Sequence, residues 1–160
     1  MDNFMQEHHL VNVGNSNFVA SAADIFNGDP ATDVVNMKDW NRATFVIQKT
    51  AGIVGTATIT IESCDDMVPT TTTAIPFKYR KATSGDTFGE WTDATASGFT
   101  TTAGADQIYE ISVTSSDLNG TDHYVRLQTA VSVVGAVGGG IVAILTEPRY
   151  AKSIPDTVLT

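Results

Sequence analysis

The chain has 160 residues, one domain's worth, enough to bury roughly two thirds of the surface its unfolded form exposes without a metal or disulfide staple. Nine basic against eighteen acidic residues give a formal charge of -9, which repels nucleic-acid phosphates and anionic membranes at long range. No stretch approaches the ~20 apolar residues that span a bilayer, the start lacks the basic-then-apolar pattern of a secretory signal, and the lone Cys64 has no partner for an internal bridge, so synthesis and use in a reducing cytosol are expected.

Residues 1–14 have no sustained period and read as an N-terminal arm, either disordered or bound to a neighbour. Residues 15–148 carry the signals of a β-sandwich. Asn17 to Ala22 reads as a first strand and Thr32 to Met37 as a second. Lys38-Asp39-Trp40-Asn41 reads as a single helical turn, with Trp40 capping one end of the core. Ala43 to Lys49 is β-branched and aromatic, as a central strand requires. Thr50 to Gly55 then joins it to Thr56 to Glu62, and the pair reads as a hairpin.

In that second strand Ala57, Ile59 and Ile61 alternate with Thr58, Thr60 and Glu62, the period of one buried and one wet face. Cys64 to Thr73 breaks the alternation, and Ile75, Phe77 and Tyr79 resume it. Pro76 has no N–H to give a ladder, which marks a sheet edge or a bulge. Lys78, Arg80 and Lys81 read as a charged, solvated edge. Two short strands are expected around Phe88, Trp91 and Phe99. Gln107 to Thr114 places Tyr109, Ile111 and Val113 inward, Ser115 to Gly120 suits one helical turn or a tight turn between strands, and His123 to Val131 alternates again. Gly135 and Gly138 to Gly140 interrupt the most apolar segment, so the last strand is expected over Ile141 to Thr146, with Pro148 stopping it. The fold class is therefore all-β: an antiparallel, jelly-roll-like sandwich with Phe45, Ile47, Ile59, Ile61, Ile111, Val125, Leu127 and Ile144 in its core. Residues 149–160 form a C-terminal tail free to reach a partner.

Candidate chemistry is sparse. Glu62, Asp65 and Asp66 have the hard oxygen donors calcium takes, but their spacing matches no dedicated loop and reads as a solvated acidic turn. Asp86, Glu90 and Asp93 flank Trp91, a pattern that glycan-binding or glycan-cleaving sites share, but which reads here as a core tryptophan with acidic loop neighbours. His8, His9 and His123 lack zinc-ligand spacing, and neither a nucleophile elbow nor a phosphate loop is present. No enzyme activity, cofactor or metal is expected.

Several stretches together resemble small virion structural proteins of tailed bacteriophages, of the capsid-decorating kind. These are DVVNMKDW at Asp33 to Trp40, ATFVIQ at Ala43 to Gln48, TITIESCDD at Thr58 to Asp66 and TTAIPFKYRK at Thr72 to Lys81, with GADQIYEISV at Gly104 to Val113 and AILTEPRYA at Ala143 to Ala151. The resemblance implies a protein made in the host cytoplasm that joins the virion surface and stabilises the capsid by bridging major capsid protein subunits. It also implies contact with other copies of itself, for instance as a trimer, and no nucleic-acid or membrane partner. A tail or connector protein and a carbohydrate-binding module are the alternatives. Both termini keep apolar residues that a purely solvated tail seldom carries, which makes Phe4, Leu10, Val11, Tyr150, Ile154, Val158 and Leu159 the expected partner anchors.

Overall fold

A computed structural model describes residues 7–14, 24–82, 85–150 and 158–159. The expected first strand at Asn17 to Ala22 lies outside them. The described residues form two antiparallel sheets packed face to face. The strands are β1 (His8–Asn12), β2 (Val35–Asn36), β3 (Trp40–Lys49), β4 (Thr56–Cys64), β5 (Thr72–Ile75) and β6 (Phe77–Ala82), followed by β7 (Thr92–Ala94), β8 (Phe99–Thr100), β9 (Gln107–Thr114), β10 (Tyr124–Val133) and β11 (Gly139–Pro148). One sheet has the order β1-β11-β3-β9-β6-β7. The other has β2-β10-β4-β5, with β8 also on β4.

The core follows from side-chain parity and size. Inward residues of the larger sheet lie in rows: Leu145, Ala43 and Val113; Ala143, Phe45 and Ile111; Ile141, Ile47 and Tyr109. Each row sets a small residue or a slimmer neighbour beside a bulky one, which lets them interlock with Ile59, Ile61, Val125 and Leu127 of the facing sheet, all buried. Phe99 of β8 reaches across to stack on Tyr79, centroids 3.9 Å apart and planes 2° from parallel, and stands 5.6 Å from Tyr109. Seven of the eight expected core residues are buried. Ile144 is the exception: β11 is aliphatic on both faces, and its pairing with β3 turns Ile141, Ala143 and Leu145 inward instead.

Three local expectations are corrected. The turn before β3 is not helical: Trp40 N–H donates to Met37 O at 3.1 Å, Asn36 Oδ1 accepts from Lys38 N–H, and the strand starts at the buried Trp40 itself. The second strand shrinks to Val35–Asn36, because Asp33 N–H leaves the sheet to bond Val13 O, while Thr32 stays on β10 through Leu127. Most consequentially, β3 and β4 are not a hairpin. Both are central strands whose two edges are already taken, β3 by β11 and β9, β4 by β10 on one side and β5 and β8 on the other.

The link between β3 and β4 is thus an arch from one sheet to the other, and residues 134–138 make a second arch from β10 to β11. The arches lie backbone against backbone: Thr50 N–H donates to Gly138 O at 2.8 Å, and Gly138 N–H to Ala51 O at 3.1 Å. Gly52, at φ +92°, and Gly55 leave no room for a side chain. A Cβ on either would stand 2.0 Å from a carbonyl oxygen of the other arch, that of Ala136 or of Gly135. Pro76 marks another crossing, between β5 of one sheet and β6 of the other.

Gly55→Ala should therefore cost about 3 kcal/mol or more in urea unfolding, since rigid backbone must move. Gly140→Ala, where an added methyl meets nothing within 4 Å, should stay within about 1 kcal/mol of the parent. Equal midpoints for the two variants would refute the close apposition of the arches.

Candidate interaction surface

Of the seven large aliphatic side chains that stand exposed among the described residues, the arched end gathers five, the others being Leu10 and Val68. Val134 is 87% and Ile53 74% exposed, and Val54, Val131 and Val133 are also open to solvent. Their placement follows from the arches. Val137 turns inward and is fully buried, and the glycines hold the two backbones together, so the remaining apolar residues of both loops point out. At the end of β10 the register slips between Val131 and Val133, with Thr58 Oγ1 and Ser132 Oγ bonded at 2.9 Å beside the slip. Val131 and Val133 then overhang the end of the sandwich. They form one wall of a groove of about 250 Å³ whose other wall is the turn carrying Phe26, Gly28 and Asp29.

That turn is tied to both structures it faces. Asp29 Oδ1 accepts from Val131 N–H at 2.5 Å, Asp24 Oδ1 from Val137 N–H at 3.3 Å, and Ile25 N–H donates to Val137 O. Behind the arches lies a buried polar network. Lys49, wholly buried, donates from Nζ to Thr102 O at 2.8 Å and to Gly55 O at 3.3 Å. Thr102 N–H donates to the Tyr109 hydroxyl, which donates to Gln107 Oε1. Burial lowers the Lys49 pKa from its ordinary value, because the ammonium gives up water for two neutral carbonyls.

The expected terminal anchors divide. Phe4 and Ile154 lie outside the described residues. Leu10 faces out from β1, 56% exposed, beside Ile144, and Tyr150 is 68% exposed just past β11. Val11 and Val158 instead enter the domain's own core, and Leu159 packs half-buried against it. The backbone agrees: β1 is a paired edge strand on β11, so His8–Asn12 belongs to the sandwich, and Val158 O accepts from Asn36 N–H. Periodicity over five residues is too short to separate an edge strand from an arm.

The other candidates resolve into local pairs. Glu62 accepts from Arg126 at 2.7 Å, and Asp65 accepts from the N–H groups of Thr70 and Thr71 and the Thr70 hydroxyl, which lower its pKa. Among the described residues no three His, Cys, Asp or Glu side chains gather where they would hold a metal ion. Trp91 is not a core residue. Its exposed indole lies 4.7 Å from the Arg80 guanidinium, which is sandwiched against Phe88 at 4.6 Å and ion-paired with Glu110. Strand β6 is flanked by β7 and β9, so its basic residues do not guard an edge. Cys64 is buried at the end of β4, and burial pushes its thiol up to about 11. Among the described residues no helix is long and apolar enough to cross a membrane.

These features define an all-β sandwich with one apolar end built from two sheet-crossing loops. Compared with known protein families, curated proteins and solved structures, the chain matches none. The aliphatic loops were legible in the sequence as apolar residues among glycines. That they share one end was not, because it depends on β3 and β4 belonging to different sheets.

The lowered pKa of Lys49 fixes a sign. Between that value and the ordinary 10.5, the unfolded chain holds a proton the folded chain has released, so stability contributed by this site rises with pH across the window. The unfolding free energy of the parent minus that of Lys49→Met should increase as pH is raised towards 10.5. A difference that stays flat or falls would mean the ammonium is solvated.

Proposed function

We propose that the chain is a structural virion protein of a tailed bacteriophage, a decoration or cement protein that binds the assembled capsid and bridges major capsid protein subunits. The observation that carries the reading is the cluster of Ile53, Val54, Val131, Val133 and Val134 on one end of a rigid sandwich. Fully burying a large aliphatic side chain contributes about 1.5 to 3 kcal/mol, so a protein that lives alone in water gains nothing by displaying five together. The sequence stretches that resemble decoration proteins supply the identity of the partner.

Further support comes from the outer face of the larger sheet. Leu10 pairs with Ile144, and Val142 with Val46, giving a second apolar strip for contact with a neighbouring subunit or another copy. A symmetric shell repeats each weak contact, and avidity then exceeds the affinity of one copy. A carbohydrate-binding module is favoured by one feature, the exposed Trp91, but Arg80 already occupies part of its surface. A tail or connector protein would use the same apolar end on a different partner.

The direct test is addition of the purified chain to capsid shells assembled from the major capsid protein alone. Saturable binding at fixed lattice positions, imaged at subunit resolution, with a rise in the shell's disruption temperature is expected. Shells that neither bind the chain nor gain stability, alongside saturable glycan binding by the monomer, would replace the reading.

A further inference from the structure

The groove at the arched end has a chemistry that selects its occupant. Four chain segments build this end: residues 24–30, 50–56, 101–106 and 130–138. They carry Asp24, Asp29 and Asp106 and not one lysine or arginine. The adjoining Lys49 points inward, its ammonium spent on the carbonyls of Gly55 and Thr102. Asp29 lines the groove opposite Val131 and Val133, and the loop bearing Asp106 is fixed beside the exposed Ile53 through Gly104 N–H to Ile53 O at 3.1 Å.

We infer that this end seats on a partner segment that is aliphatic in its middle and carries lysine or arginine at its flanks. The aliphatic part covers Ile53, Val133 and Val134, and the cations meet Asp29 and Asp106 at the rim. A second copy of the same end is disfavoured, since two acidic rims would face each other, and like charges brought together across an interface oppose it. A lipid surface is disfavoured for the same reason, since these rim charges offer nothing to anionic headgroups. The inference deepens the virion reading and rests on it for the source of the segment, which would be a surface loop or arm of the capsid subunit.

Two measurements separate the inference from that reading. In the first, isotope-labelled protein is titrated by NMR with a five-residue peptide of lysine, three aliphatic residues and lysine, and with its counterpart bearing glutamate at both ends. The lysine peptide should shift the amides of Ile53, Val54, Val131 and Val133 to Gly135, and the glutamate peptide should not. Equal shifts from both, or shifts elsewhere, would overturn the inference whatever the shells do. In the second, Ile53→Asp and Val134→Asp, both at exposed positions where folding is spared, should weaken binding to shells at least ~10-fold with unchanged thermal unfolding. Asp29→Asn, which keeps the acceptor for Val131 N–H, should weaken binding less and flatten its salt dependence. Shells that bind the parent and both aspartate variants equally would sink the inference and spare the reading. Self-association of the parent, or binding to phosphatidylcholine vesicles, that Val134→Asp abolishes would hand the surface to a second copy or to lipid and overturn it.

Discussion

The close approach of two backbones at one end of the sandwich constrains everything around it. A chain that passes repeatedly between two sheets must cross the open end of the core, where there is no ladder to satisfy its peptide groups. Here two crossings satisfy each other, Thr50 and Ala51 with Gly138, and the approach is feasible only because Gly52 and Gly55 set no Cβ against the carbonyls of Ala136 and Gly135. The glycines are therefore not a sign of looseness. They allow two loops to behave as one rigid rim, and the rim then fixes the direction in which Ile53, Val54 and Val134 point.

Burial of Lys49 belongs to the same constraint. An arch leaves carbonyls facing the interior, and an unpaired buried carbonyl costs about 1 to 3 kcal/mol. The lysine reaches two of them, Gly55 O from the arch and Thr102 O from the loop before β9, with the Tyr109 hydroxyl and Gln107 completing the network. A long flexible side chain with three donors is suited to bridging acceptors from separate segments. The cost is desolvation of a charge, visible in its lowered pKa. An apolar residue would fill the space and leave the loops untied.

How much was legible depended on the range of the signal. Alternation in β4, β9 and β10 assigns the inward faces correctly because each strand is long and its faces differ sharply in polarity. Ile144 misleads because β11 is aliphatic on both faces, so alternation does not say which face turns inward, and the face is set by pairing with β3, where Ile141, Ala143 and Leu145 stand opposite Ile47, Phe45 and Ala43. The β3 to β4 link misleads for a different reason. A short glycine-bracketed loop between two strand-like runs satisfies a hairpin and an arch equally, and the choice is made by β9 and β11, about 60 to 100 residues away along the chain. Trp91 is an aromatic that packs on a cation rather than in the core, which local polarity does not distinguish.

The termini carry a tension that bears on how such a domain could attach. Val11, Val13 and Val158 close the side of the sandwich where β1 and β2 leave the two sheets open, with Val13 O and Val158 O accepting from Asp33 and Asn36. Drawing β1 away to reach a partner would expose Val11 and Val13, at about 1.5 to 3 kcal/mol each, and would also bare the edge of β11. A partner would have to supply at least that before any net gain. The exposed arched end carries no such debt: its aliphatic residues already face water, its backbone is already fixed, and little ordering entropy opposes their burial. Attachment through a preformed rim, with the terminal strands left in place to hold the sandwich shut, is the cheaper arrangement by several kcal/mol.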